Sequence, residues 1–178
     1  FSKKTEIYKG MKLIDEKLGG TTPLEVILKF SKKKELKADQ EDDFEDWGED
    51  EEKNNDKYWF TKDKIDKIAN VHNYLDSLPQ VGKVLSFSSI IDVATLLNNN
   101  KPLGTLEMGV LYSKIPESIK IEIIDPYISI KDNEARINLR IIDSQENLRR
   151  NDLIKKIKYD LKNKLNLKED EYKLAGVL

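Results

Sequence analysis

The sequence predicts an α+β fold in which two βαβ-like halves share one sheet. Segments in which apolar and polar residues alternate predict strands, and segments in which apolar residues recur every three or four positions predict helices. These segments follow each other in the order strand, helix, strand, hairpin strand, helix, strand. The two longer helices of this series each carry one apolar stripe, which predicts that both cover the same face of the sheet.

The first 30 residues predict a helix followed by a strand. Thr5 is placed to cap the helix, and Gly19-Gly20 ends it because glycine takes the left-handed C-terminal conformation without a steric cost. Apolar residues at spacings of four, three and four place one stripe on this helix: Ile7, Met11, Ile14 and Leu18. Residues 24–30 then alternate, which predicts a strand with one apolar face: Leu24, Val26, Leu28 and Phe30.

The middle of the chain predicts a second helix, a short strand and further helices. Thr61 caps the second helix, which ends before Leu78-Pro79 and has this apolar face: Ile65, Ile68, Ala69, Val71, His72 and Leu75. Residues 81–87 predict a strand. Ser88-Ser89 is expected to cap a helix over residues 90–97, since Ser89 and Asp92 have capping-box spacing. Shorter helices are expected near residues 103–111 and 116–124.

The last third predicts a hairpin, a long helix and a closing strand. Residues 127–130 and 135–142 are the hairpin strands, with Ile137, Leu139 and Ile141 facing inward and Arg136, Asn138 and Arg140 facing water. Ser144 is expected to cap the helix that carries Leu153, Ile157, Leu161 and Leu165 on one side. Residues 171–177 complete the sheet. The strand and helix order is that of a split βαβ, ferredoxin-like core.

The charge pattern predicts one domain over residues 1–178 with an acidic insertion at residues 33–57. Apolar residues make up 38% of the chain and charged residues 36%, so part of it must lie outside the core. Residues 39–56 hold eleven acids and one base. Like charges repel, and little apolar surface offsets the ordering entropy, so we expect a solvated, flexible loop. An EF-hand register fails because Trp47 falls at the fifth position, and weak divalent binding stays open.

No catalytic, metal or cofactor site is predicted. The chain has no cysteine, and its one histidine, His72, lies on the apolar face of a helix, where a packed structural role is expected. Gly19-Gly20 follows a helix and precedes a strand, so it is not a phosphate loop. Basic residues of the last helix alternate with Asp152 and Asp160 and lack interleaved aromatics, which argues against nucleic acid as a partner.

Three segments resemble the extracytoplasmic loop of exporters of the resistance-nodulation-division (RND) superfamily, in the MMPL-like branch that handles lipids. The first is residues 18–27, Leu-Gly-Gly-Thr-Thr-Pro-Leu-Glu-Val-Ile, and the second is residues 74–86, which contain Leu-Pro-Gln-Val-Gly-Lys-Val-Leu-Ser. The third runs from Asn133 to Asp143 and is followed by a helix and a strand that ends in residues 175–178. The acidic insertion departs from the family pattern.

The resemblance implies a non-enzymatic porter domain on the extracytoplasmic (periplasmic) side of the inner membrane. Its expected partners are the transmembrane helices and second porter domain of the same transporter, and its expected cargo is hydrophobic or lipid-like. Transport by members of this family is driven by the proton-motive force. Their proton relay lies in membrane helices, so no relay residue is assigned in this chain. Substrate-binding residues, the identity of the cargo and any oligomeric assembly stay open.

Two other functional classes are weighed against this expectation. A free-standing, ferredoxin-like module that binds a small ligand is the main alternative, because a fold does not fix a function. A hydrolase is disfavoured because the sequence offers no recognisable pair of nucleophile and base.

Overall fold

The computed structural model describes residues 5–31, 56–145 and 147–176. This part of the chain forms six α-helices, a short 3-10 helix at Asp56–Trp59 and five strands. The helices are α1 (Glu6–Leu18), α2 (Lys62–Asp76), α3 (Phe87–Leu97), α4 (Thr105–Lys114), α5 (Glu117–Ile123) and α6 (Arg150–Asn163). The strands are β1 (Thr22–Lys29), β2 (Val81–Leu85), β3 (Ile128–Ser129), β4 (Glu134–Ile141) and β5 (Tyr172–Gly176).

The five strands form a single antiparallel sheet with the order β2-β4-β1-β5, and β3 pairs with β4. The longest pairing joins β1 to β4, from Thr22 opposite Ile141 to Lys29 opposite Glu134. On its other side β1 pairs with β5, where Val26 lies opposite Leu174. The predicted α+β class and the predicted sharing of one sheet are therefore confirmed.

One face of the sheet is buried and the other is open. Leu24, Val26 and Leu28 of β1 are fully buried, whereas Glu25 and Ile27 between them are only half-buried. Strand β4 alternates in the same way, as the sequence predicts. Its exposed residues include Arg136 and Arg140, and its buried, inward-facing residues are Ala135, Ile137, Leu139 and Ile141. Burial of one face fixes the register, because a shift by one residue would turn every apolar side chain to solvent.

Helices α2 and α6 cover the buried face. Ile68 of α2 and Ile157 of α6 are fully buried in one core cluster with the inward residues of β1 and β4. The Tyr74 hydroxyl of α2 donates a hydrogen bond of 2.8 Å to Asp160 of α6, so the two helices are also directly joined. The prediction that both helices pack on the same face is confirmed.

Both predicted ends of α1 are confirmed. The Thr5 side chain accepts a hydrogen bond from the Tyr8 backbone N–H, and Gly19 takes a left-handed conformation with φ of 68° after the last turn. The carbonyl of Gly19 then accepts a hydrogen bond of 3.2 Å from the backbone N–H of Lys83 in β2. The end of α1 is thereby fixed to the edge of the sheet.

Two predicted helix caps are wrong. The cap of α3 is Ser86 and not Ser88-Ser89, because Ser86 has the extended backbone of a cap and exchanges capping-box hydrogen bonds with Ser89. Helix α6 begins at Arg150 and not directly after Ser144. The Ser144 backbone N–H instead donates a hydrogen bond of 2.7 Å to the Asp15 carboxylate, so Ser144 helps to hold α1 in place.

The ends of the acidic segment meet at one polar and aromatic cluster. The rings of Phe30 and Trp59 lie 5.6 Å apart in an edge-to-face arrangement. The side-chain amide of Asn133 donates to the Phe30 carbonyl, and its oxygen accepts hydrogen bonds from Trp59 and Lys64. This cluster closes the base of the insertion on the body of the domain.

The predicted flexibility of the acidic insertion falls outside the described residues over 33–55, whereas its last two residues belong to the 3-10 helix at Asp56–Trp59. The closing strand β5 runs antiparallel to β1, so that Gly176 lies opposite Leu24 near the beginning of β1.

Candidate interaction surfaces

Helix α1 contacts the body of the domain through its polar side. Tyr8, Lys12 and Asp15 lie one turn apart from each other and are its least exposed residues. Asp15 is the only one of the three that is fully buried. A surface helix of a globular protein ordinarily turns its apolar stripe to the core, so α1 is oriented the other way.

Asp15 anchors α1 through hydrogen bonds that satisfy its buried carboxylate. The Thr21 hydroxyl donates 2.6 Å to one oxygen and the Ser144 backbone N–H donates 2.7 Å to the other. Burial favours the protonated acid, but the hydrogen bonds from Thr21 and Ser144 together outweigh it and lower the pKa of Asp15. The charged form therefore holds the C-terminal half of α1 against the segment that follows β4.

The apolar stripe of α1 faces solvent. Its members are between 52% and 60% exposed: Ile7, Met11, Ile14 and Leu18. The sequence identifies the stripe, but amphipathicity alone does not say whether it faces the core. The one signal in the sequence is Asp15, an acid that lies beside the stripe.

A second group of exposed apolar residues lies on the helices between β2 and β3. Helices α3, α4 and α5 are named here the cap, residues 87–123. Phe60 joins the cap to the core, because its ring lies 5.3 Å from that of Phe87 and 4.8 Å from that of Tyr112. Phe87 and Met108 are the largest buried side chains that the cap itself supplies.

Between α3 and α4 lies a small, partly open apolar cavity of about 30 Å³. All of its lining side chains are apolar or aromatic, among them Phe60, Ile91, Met108 and Tyr112. Burial, assisted by nearby acids, raises the pKa of Tyr112 to about 12, so this phenol stays neutral at physiological pH. A cavity of this volume and lining disfavours water and favours hydrocarbon.

Many of the exposed side chains of the cap are also apolar. Nine of its large apolar side chains are between 40% and 80% exposed: Val93, Leu96, Leu97, Leu106, Val110, Leu111, Ile119, Ile121 and Ile123. Scattered single apolar residues are normal on a protein surface, whereas a concentration of them marks a site of interaction. The sequence predicts the helices of the cap but not the exposure of these side chains.

His72 lies half-buried on α2 and contacts the start of α3. Its Nδ1 lies 2.9 Å from the hydroxyl of Ser86, which is fully buried and also accepts a hydrogen bond from the Ser88 backbone N–H. The structure thus brings together a serine and a histidine that the sequence analysis did not pair. The Ser86 oxygen is buried at the start of α3 and is engaged there in capping the helix.

In the described residues, no group of three or more metal-ligating side chains is found. Nor does any helix in this part of the chain have the length and apolar character needed to cross a membrane. No protein-family model matches the chain, and no curated protein or solved structure matches it either.

Proposed function

We propose that this chain is the extracytoplasmic loop domain of a proton-driven RND-type exporter, in which it guides or gates a hydrophobic or lipid-like substrate. In this proposal the domain lies on the periplasmic side of the inner membrane and has no catalytic activity. Its partners are the transmembrane helices and the second porter domain of the same transporter.

The connectivity supports a ferredoxin-like porter core. Strand β1, helix α2 and strand β2 form one βαβ half, and β4, α6 and β5 form the other. The order β2-β4-β1-β5 places one strand of each half at the centre and one at each edge, which is how two split βαβ units interleave. The cap is then an insertion between the halves.

The cap is the observation that carries the proposal. Its exposed apolar side chains offer a surface to a hydrocarbon chain, and the cavity beneath them is lined by apolar groups alone. At about 30 Å³ the cavity does not hold a lipid tail, so the cap suits transient contact along a route better than storage. Transient contact is what guidance of a hydrophobic cargo requires.

The outward stripe of α1 supports attachment to a larger assembly. Burying four apolar side chains that stand half exposed would stabilise a contact by roughly 1 kcal/mol each or more. The polar anchor at Asp15 fixes the direction of this stripe without using it for the domain's own core. We assign the stripe to contact with the rest of the transporter.

Two measurements test the placement of the domain. The coding sequence on each side of this chain is expected to encode an apolar segment of ~20 residues. In the full-length protein, Lys114→Cys is expected to react with a membrane-impermeant maleimide in cells whose outer membrane is permeabilised, because Lys114 is exposed on α4. This chain has no cysteine, so the unsubstituted protein measures the background. A cysteine at position 114 that reacts only after the inner membrane is also opened would lie in the cytoplasm and would contradict the proposal.

Fluorescence of cis-parinaric acid tests the role of the cap. The chain is expected to bind this apolar probe, and Leu106→Gln with Leu97→Gln, both 80% exposed, should weaken the binding without loss of stability. Met11→Gln with Ile14→Gln on α1 is the matched control and should leave it unchanged. Binding that survives the cap substitutions, or a chain that prefers a polar small ligand, would favour the free-standing ligand-binding module instead.

A further inference from the structure

Strand β5 forms one edge of the sheet described here, with β1 as its neighbour. The Lys29 backbone N–H donates 2.8 Å to the Glu171 carbonyl, which identifies that pair as a hydrogen-bonded one. Pairs in an antiparallel ladder alternate, so Lys173 and Ala175 also turn their backbone groups to β1. The backbone N–H and C=O groups of Tyr172, Leu174 and Gly176 therefore point away from the sheet.

A groove of about 540 Å³ runs beside this free edge, between β5 and the C-terminal half of α6. Lysines line both of its sides, with Lys158 and Lys162 on α6 and Lys173 on β5. Glu169 is the acid in the lining, and it is paired with Lys162 at 2.8 Å. The groove thus has an excess of positive charge along a strand edge that pairs with no other strand of the described residues.

Lys158 and Lys173 are available to a ligand, whereas Lys162 is paired with Glu169. Lys158 and Lys173 are exposed, and no carboxylate of the described residues lies within ion-pair distance of either. Tyr159 adds a ring that is 66% exposed. Lysine at an edge strand also prevents edge-to-edge association, because a second copy would bring Lys173 against the same set of positive charges.

We infer that the free edge of β5 binds an extended acidic segment of a partner protein by strand addition. Main-chain hydrogen bonds to Tyr172, Leu174 and Gly176 supply affinity, and the lysines select the charge of the partner. This inference does not depend on the exporter proposal. It uses the edge of β5, whereas the exporter proposal uses the cap and the stripe on α1.

The geometry also specifies the pattern of the partner. Successive side chains of an added strand point to opposite faces of the sheet. On one face they meet Lys173, and on the other they meet Lys158 of α6, since Lys162 is paired with Glu169. Acids at two successive positions therefore each find a lysine, so adjacent acids fit better than acids at alternate positions.

Fluorescence anisotropy with the full chain tests the charge selection. A fluorescein-labelled peptide of alternating Asp and Glu is expected to bind, and the same peptide built from Asn and Gln is not. Lys158→Gln with Lys173→Gln should weaken binding by about tenfold, the worth of two exposed ion pairs. Lys114→Gln with Lys131→Gln removes the same charge elsewhere and should leave binding unchanged. An equal loss of peptide affinity in both double variants would show that only the net charge of the chain matters, and would overturn the inference.

Amide hydrogen exchange tests the strand addition. The bound acidic peptide is expected to slow exchange at Tyr172, Leu174 and Gly176, while Lys173 and Ala175 stay as they are because β1 already protects them. Uniform protection, or none, would contradict pairing at this edge. Binding that appears only after the acids of residues 39–52 are replaced by amides would mean that this chain fills its own groove, which also overturns a partner-protein occupant.

Discussion

The carbonyl oxygen of Gly19 lies 1.7 Å from the position that a β carbon on Gly82 would occupy. Gly19 ends α1, and Gly82 belongs to β2, so two backbone segments far apart in the sequence meet with no room for a side chain between them. The Lys83 N–H donates to the same Gly19 oxygen. Two of the three segments that resemble RND exporters therefore touch each other here.

Gly82→Ala is expected to lower the free energy of unfolding by about 1–3 kcal/mol, the usual cost of overpacking. The clash is with backbone and not with a flexible side chain, so α1 and β2 must separate to relieve it. Gly10→Ala is the control, because nothing lies within 4 Å of a β carbon at that helical position. It should stabilise the chain by about 0.5–1 kcal/mol. Urea unfolding measures both, and a neutral Gly82→Ala would contradict the contact.

The protein is expected to lose stability in acid as Asp160 becomes protonated. Hydrogen bonds from Lys156, Tyr74 and Lys164 outweigh its burial and lower the pKa of Asp160 from 3.8 to about 2. The unfolded chain then takes up this proton more readily than the folded one. The contribution of Asp160 is complete above pH 3.8 and is lost as the pH falls to about 2.

Asp160→Asn removes that contribution. At neutral pH it is expected to cost about 1.5–3 kcal/mol, as for hydrogen bonds to a charged group. The difference in unfolding free energy between the original chain and Asp160→Asn should shrink below pH 3.8. Other acids are common to both proteins and cancel in this difference. A difference that is constant from neutral to acid pH would contradict the lowered pKa.

The acidic insertion is expected to be dispensable for folding. Its ends are fixed by Phe30, Trp59 and Asn133, all within the described body of the domain. Replacing residues 32–55 with a short Gly-Ser linker should leave stability unchanged or raise it by about 1 kcal/mol, since loop-closure entropy varies slowly with length. Trp59→Ala, which opens the base of the loop, should cost about 3–5 kcal/mol. A large loss on excision would instead assign packing to the insertion.

His72→Ala is expected to cost about 1 kcal/mol through the lost hydrogen bond to Ser86. Ser86→Ala should lower the free energy of unfolding by more, because it also removes the side chain that caps the N-terminus of α3. Thermal or urea unfolding gives both values. An esterase activity that disappears with either substitution would show that the pair is catalytic and would refute the assignment of a non-enzymatic domain.

The sequence predicts the sheet well because its signals are local and periodic. The inward residues of β4 and the stop at Gly19 follow from alternation and from glycine chemistry. The predicted cap of α3 is wrong because three serines, Ser86, Ser88 and Ser89, lie near its start, and only the tertiary structure decides which one has an extended backbone. The predicted cap of α6 is wrong because Ser144 lies six residues before the helix begins at Arg150. Ser144 lost that role because Asp15, more than 100 residues earlier, takes its N–H.

The candidate surfaces were harder to predict than the fold. The stripes on α1 and α6 both recur every three or four residues, as on any amphipathic helix, yet Ile14 is exposed and Ile157 is fully buried. What separates them is the hydrogen bonding of Asp15, which draws the polar side of α1 inward. A pattern of apolar residues does not contain that information, because it depends on partners that are distant in the sequence.

The pairing of β1 with β4 has a consequence for how the chain folds during synthesis. Each residue of β1 has its β4 partner more than 100 residues further along, from Lys29 with Glu134 to Thr22 with Ile141. At ~5–20 residues per second, a ribosome exposes Leu24, Val26 and Leu28 for several seconds before their neighbours emerge. During that interval β1 is an unpaired apolar strand, so this segment is where a nascent chain would need protection from aggregation.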